Sequence, residues 1–371
     1  MEFELLKRVF VGLIITWLLL SIPLYQYHER ENALLAGSQA PDELVIFNWS
    51  FYLDPELIKE FEEQQNIRVK IIYIDDEYHR NLLVGADGSR GVDLVFLDER
   101  DVHAYKDKGW LAPVDNQKIP NLVNIDEDWI TRYPGLVDFA VPYLWGTTGV
   151  IYRSDLLSYP ITSWMDILQP DAELQGRIQM LGDPDELVWP AMLALGYDIY
   201  SDNLEEYQEA INLIEQQRPY VYRYGVVREV DIDSIVQGII SVAMTYNGDA
   251  LISMAFDDAL KYVVPKEGGT LWMDFVAVME QSRNKEKAYS FINFINDPKN
   301  AARNSEFTRY ASANRGAFAY LPEEFLENSV IFPDAETLAR CIAQKPLSGW
   351  VQYKIDQSLA HLLHESKKLN R

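Results

Sequence analysis

Four apolar runs in this 371-residue chain end on aromatic or acidic side chains. Trp49 and Tyr52 follow Leu44–Phe47, and Asp98, Glu99 and Arg100 follow Val92–Leu97. Asp183 and Glu186 follow Arg177–Leu181, and Tyr246, Asn247 and Asp249 follow Ile239–Thr245. Carboxylates give charge-assisted hydrogen bonds to ammonium groups, and aromatic faces attract cations by roughly 0.5–2 kcal/mol each. Acids for the ends and flat rings for the methylenes suit a flexible alkyl diamine or polyamine. Taken singly, each residue reads as a helix cap or packing contact. Their recurrence at equivalent places carries the binding reading.

The elements that place them alternate between strand and helix. Leu44–Phe47, Val69–Ile74 and Val92–Leu97 have strand composition. Asp54-Pro55-Glu56 opens a helix with an acid cap and proline in the first turn. Asp101–Lys108 is a short helix after the third strand. The pattern restarts with a strand at Arg177–Leu181, a helix at Glu186–Leu195 ending on Gly196, and a longer helix at Leu204–Gln217. A strand at Ile239–Thr245, a helix at Asp249–Leu260, a strand at Trp272–Val278 and a helix at Lys285–Ile295 complete it. Such alternation predicts an α/β fold with mainly parallel sheet. In open α/β sheets ligands bind beyond the carboxyl ends of the strands, where the four clusters fall. The length fits two lobes, with crossovers expected at Pro142–Gly149, through a T-T-G turn, and at Pro265–Gly269.

Composition narrows the function. With 48% hydrophobic and 24% charged residues the chain is globular. A net charge of −24 opposes nucleic-acid binding and gathers cations. Cys341 stands alone, so no intramolecular disulfide forms. Lys7 and Arg8 precede the uncharged run Val9–Tyr27, near the ~20 residues that span a bilayer. No small-residue cleavage site follows closely. The run is expected to be an uncleaved anchor rather than a removed signal; in both cases the bulk of the chain is exported. Catalytic signatures for a nucleophile elbow, a phosphate loop or a zinc helix are missing. His361, His364 and Glu365 share a helix face but lack an evident further metal ligand. Asp183 and Glu186 as a glycosidase pair would require a sugar cleft.

The chain resembles the periplasmic polyamine-binding proteins, the spermidine- and putrescine-capturing components of bacterial ABC importers, from about Leu44 to its end. The resemblance rests on N-W-S-F-Y (48–52), V-D-L-V (92–95), V-P-Y-L-W-G-T-T-G (141–149), T-S-W-M-D-I-L (162–168), L-G-Y (195–197), K-E-G-G-T-L-W-M-D (266–274) and F-P-D-A-E-T (332–337). It implies a two-lobed, type II-like periplasmic binding fold with the ligand cleft between the lobes, preceded by the N-terminal hydrophobic helix. Residues 1–28 form the signal or anchor and 29–43 a linker. Lobe 1 takes 44–148 and 271–318; lobe 2 takes 149–270 and 319–371. The ligand-binding set implied is Trp49, Ser50, Tyr52, Asp98, Asp183, Glu186, Tyr246, Trp272, Asp274 and Tyr310. Asp183, Glu186 and Asp274 hold amines, and the rings wall the carbon chain. No cofactor or catalytic residue is implied, and a monomer is expected.

Three departures bear on the ligand. Phe51 stands where relatives usually carry an acid, and Asp98-Glu99-Arg100 replaces a serine-rich turn. Val351, with Gln352 beside it, falls where relatives have a ligand-touching glutamine. Arg100 facing an amine pocket is repulsive unless it pairs with Asp98 or Glu99, or unless the preferred ligand differs. The expected partner is the membrane permease of an importer. A sensor of the norspermidine type, reporting to a membrane-bound signalling protein, is the alternative, and a non-polyamine ligand in the same fold is a further one.

Overall fold

The structure, a computed structural model, describes residues 43–74, 80, 84, 91–225 and 234–369. The expected N-terminal anchor and linker lie almost wholly outside the described residues. Among the described residues no helix is long and apolar enough to cross a membrane.

One sheet runs through both lobes. Its strands are β1 (Glu43–Asn48), β2 (Arg68–Tyr73), β3 (Leu94–Asp98), β4 (Val141–Arg153), β5 (Ile178–Met180), β6 (Val221–Tyr224), β7 (Val242–Tyr246), β8 (Leu260–Val263), β9 (Thr270–Val278), β10 (Ala311–Ser312) and β11 (Ile342–Ala343). The order is β2-β1-β3-β9-β4-β7-β5-β6; β10 and β8 pair with β4, and β11 with β9. The outer groups β2-β1-β3 and β7-β5-β6 are parallel. At the centre β9 runs antiparallel to both β3 and β4, and β4 antiparallel to β7 and β8. The sheet is therefore mixed rather than mainly parallel, because the strands joining the lobes reverse direction.

β4 replaces the expected turn at Pro142–Gly149. All thirteen of its residues are buried. Its first half pairs with β9 and β10, its second with β7 and β8. The proline and glycines that suggested a turn have other uses. Pro142 borders an irregularity in the β4–β9 register, where proline is tolerated in a strand. A Cβ on Gly146 would lie 2.4 Å from the Trp272 ring, and one on Gly149 2.6 Å from the Tyr262 hydroxyl.

Side chains alternate between the two faces of each lobe's sheet. Leu44, Ile46, Leu94 and Phe96 join one cluster, and Val45, Phe47, Val95 and Leu97 the opposite one. In the second lobe Val150, Val242 and Met244 face one way, and Ile151 and Ala243 the other. Helices cover both faces: α1 (Pro55–Gln65), α2 (Glu99–Asp107), α3 (Pro184–Leu195), α4 (Leu204–Gln217), α5 (Asn247–Met254), α6 (Lys285–Ile295), α7 (Pro298–Thr308) and α8 (Gly349–Leu369). Asp54 caps α1 by accepting from the Glu56 amide, and Gly196 closes α3 in the left-handed region at φ 77°. The helix expected at Asp249–Leu260 stops at Met254, and Leu260 opens β8 instead. Leu321, Phe325 and Ile331 pack into the cluster of the first lobe, not the second as a boundary at 319 would have it. Phe332 anchors this stretch through Trp145 and Phe318, at 6.0 and 5.5 Å between centroids. The chain returns to the second lobe from Ile342 and Leu347, which pack against its core, and then with α8, whose Val351, Ile355 and Leu359 join it.

Candidate ligand-binding site

The loops after β1, β3, β5 and β7, together with β9, converge between the lobes. Asp274 lies on β9 in register with Asp98 on β3, so two carboxylates stand side by side. Tyr52, in the turn after β1, donates its hydroxyl to Asp274 Oδ2. Tyr143 braces that turn by donating to the Tyr52 carbonyl at 2.9 Å, and Asn304 holds Tyr143 at 2.7 Å. Burial first, with Asp98 adding to it, pushes the Asp274 carboxyl up to about 8, although the Tyr52 bond works the other way.

A second carboxylate is held from the other lobe. Tyr246, at the end of β7, donates to Glu186 with its hydroxyl 2.9 and 2.8 Å from the two oxygens. Burial and then the Asp183 charge push Glu186 up to about 8. Among the described residues neither Asp274 nor Glu186 has a lysine or arginine ion-pair partner. A cavity of ≈ 10 Å³, lined by Trp164, Trp189 and Thr270 among others, abuts Glu186, about enough for one water.

The rings form a continuous wall. Trp49 meets Tyr52 edge-on at 5.3 Å, Tyr52 meets Tyr310 at 5.8 Å, and Tyr310 meets Trp272 at 5.0 Å. Trp272 meets Tyr246 at 5.9 Å. Edge-to-face contacts at such spacings are favourable. Tyr310 hydrogen-bonds Asp249, whose carboxyl burial pushes up to about 7. Gly248 permits this packing, since a Cβ there would lie 2.4 Å from the Tyr310 ring. Asn247 anchors the same turn by accepting from the Thr147 amide at 3.1 Å and donating to the Val330 carbonyl at 2.9 Å. Gly248→Ala is therefore expected to cost about 1–3 kcal/mol in stability. It should also weaken ligand binding about tenfold by displacing Tyr310; thermal melting and titration calorimetry measure both.

Arg100 decides the remaining charges. From the start of α2 it donates to Asp98 Oδ2 through Nε at 3.1 Å and Nη2 at 2.9 Å. Its Nη1 reaches across to Asp185 Oδ2 at 2.6 Å and stands 3.7 Å from Asp183 Oδ1. Its guanidinium lies 5.5 Å over Trp189. Gln352 of α8 donates to the other Asp185 oxygen at 2.6 Å. Burial and Asp183 hold the Asp185 carboxyl above its ordinary range despite Arg100. Asp183 itself caps α3, accepting from the Asp185 and Glu186 amides.

Nine of the ten expected residues take part in the contacts described above. Ser50 is exposed in the turn after β1, and Phe51 beside it projects outward at 62% exposure with φ 58°. Besides Arg100, five residues outside the expected set join the site. Asp185, Asp249 and Gln352 do so through the contacts above. Glu99 is buried, with its carboxyl pushed up to about 8 by burial and then by Asp98. Arg80 is buried, pairs with Asp101 and lies 5.8 Å over Trp49. Asp185 and Asp249 had a sequence signal, each within four residues of a strand end. For Arg80 there was none. His361 pairs with Glu215 at 2.8 Å, while the His364 and Glu365 side chains lie outside the described residues. No metal-holding group of three His, Cys, Asp or Glu occurs among the described residues.

A sheet shared by two lobes, with acids and rings converging between them, defines a two-lobed solute-binding protein. The chain belongs to the bacterial extracellular solute-binding protein family, whose profile matches residues 56–333. It is 28% identical over 301 residues to the spermidine/putrescine-binding periplasmic protein of Escherichia coli (strain K12), covering 80% of this chain and 84% of that one. It is 27% identical over 309 residues to the norspermidine sensor of Vibrio cholerae, covering 83% and 85%. Among solved structures, a spermidine/putrescine ABC transporter substrate-binding protein of Streptococcus pneumoniae superposes with a TM-score of 0.74 at 26% identity, covering 86% of this chain and 98% of that one. The fold is that of the periplasmic binding proteins, a family of solute-binding proteins rather than enzymes.

Proposed function

We propose that this chain captures a polyamine cation on the extracytoplasmic side of the membrane and, once closed around it, is read by an ABC importer. One observation carries the reading. Glu186, buried, and Asp274, half-buried, are carboxylates from different lobes bonded to tyrosine hydroxyls and walled by aromatic rings. A buried carboxylate without a cation stays protonated at a cost to its ordinary acidity, and a diammonium ligand supplies the missing charges. Trp49, Tyr52, Tyr246, Trp272 and Tyr310 then flank the methylenes. Contacts from both lobes favour the closed form because the open form lacks them. The run Val9–Tyr27 serves as export signal or anchor.

A second reading, a sensor that reports occupancy to a membrane-bound signalling protein, is supported by the similarity to the norspermidine sensor. Calorimetric titration of the purified protein, freed of co-purified ligand, with diamines and triamines tests the shared core of both. Micromolar or tighter binding is expected, and no binding to any of them would mean that the fold carries another ligand.

A further inference from the structure

Resting on the polyamine reading, we infer that Arg100 is a built-in cation that fills a third acidic station of the cleft, so that the site selects ligands with two ammonium groups over those with three. Besides Asp249, which Tyr310 holds, and Glu99, the cleft has three acidic stations among the described residues: Asp274 with Tyr52, Glu186 with Tyr246, and the cluster Asp98, Asp183 and Asp185. Among the described residues only the third of these holds a positively charged side chain in its midst. Arg100 reaches it with hydrogen bonds of 2.6 and 2.9 Å to Asp185 and Asp98, on opposite lobes. Trp189 lies 5.5 Å beneath the guanidinium, as an aromatic wall would lie against a ligand cation.

A third ammonium must displace this group. Arg100 is attached to the chain, so it competes at the millimolar effective concentrations typical of short tethers. Arginine does not lose its charge at any physiological pH, so the station stays filled. The same contacts exclude the opposite role. A guanidinium already engaged with carboxylates on both lobes is not an anchor for a ligand carboxylate. The first two stations, by contrast, have only phenolic partners for their acids among the contacts described, and two ammonium groups satisfy them.

The test is calorimetric titration of the wild-type protein, Arg100→Ser and Arg100→Lys with 1,4-diaminobutane and spermidine, alongside thermal melting of each. Wild type is expected to bind the diamine more tightly. Arg100→Ser, which vacates the third station, should raise the spermidine-to-diamine affinity ratio at least tenfold, and Arg100→Lys should keep the wild-type order. Amine binding with a ratio unchanged within twofold in Arg100→Ser overturns the inference alone. So does a shift in Arg100→Lys equal to that in Arg100→Ser, or tighter binding of spermidine by the wild type. Absence of amine binding in all three proteins overturns the polyamine reading and this inference with it.

Discussion

Asp274→Asn should weaken binding of a diammonium ligand at least about 100-fold. The asparagine carbonyl still accepts the Tyr52 hydroxyl, so the turn after β1 keeps its support while the negative charge is lost. Truncating one member of a buried, hydrogen-bonded charge pair costs about 2–5 kcal/mol, because the partner charge remains desolvated. Glu186→Gln should behave alike, since Tyr246 is retained there as a donor. The two losses should fall short of additive if both carboxylates grip one ligand. Without ligand, Asp274→Asn should melt no lower than wild type above pH 8, for it removes a charge that burial disfavours. Near-normal affinity in either variant would sink the carboxylate assignment.

Binding should also tighten by about 100-fold or more between pH 6 and pH 8 and then level off. Asp274 and Glu186 both titrate near 8 in the unliganded fold, against ordinary values of 3.8 and 4.5. The ligand requires both ionised, so binding at pH 6 must expel their protons and binding at pH 9 expels few. Calorimetry in two buffers of different ionisation enthalpy counts them, and close to two are expected at pH 6. The sign for stability is opposite. Between about pH 4 and pH 8 the unfolded chain has released protons that the fold retains, so the raised carboxyls lend stability below pH 4 that is lost as pH rises through 8. Ligand should therefore raise the melting temperature most at alkaline pH. A dissociation constant that does not change from pH 6 to pH 8 would contradict the assignment of these two groups.

Local signals in the sequence were enough for most of the helices. Asp54-Pro55-Glu56, Gly196 and the apolar spacing of Leu204–Gln217 and Lys285–Ile295 mark ends that need no tertiary partner. β4 was not legible, because Pro142, Gly146 and Gly149 are turn formers by local propensity. Only groups remote in sequence, Asn247 and the Trp272 ring against Gly146 and the Val263 carbonyl and Tyr262 against Gly149, explain why glycine is needed in that strand. β8 was missed for a similar reason, only Leu260 having fallen within the expected helix and its four residues being strand only through β4. In the site, strand ends located Asp98, Asp183, Glu186 and the rings of Trp49, Tyr52 and Tyr246, whereas Asp274, in the middle of β9, and Trp272 and Tyr310 were reached only through the family resemblance. The pairing offered for Arg100, with Asp98, is present, but its reach to Asp185 on the other lobe depends on how the lobes meet. Local sequence has no access to that, nor to Arg80.

The shared sheet also sets an order of events during synthesis. β3 leaves the ribosome early, yet one of its two neighbours, β9, begins only at Thr270. At about 5–20 residues per second, the edge of β3 waits on the order of 10–30 s for that neighbour. An unpaired, fully apolar edge such as L-V-F-L is a template for wrong partners. Neither lobe can be finished as the chain emerges, because the strand that completes the first is made after most of the second. The nascent chain thus depends on protection until its last quarter appears, and a product cut short before Thr270 would be a seed for aggregation rather than a shortened receptor.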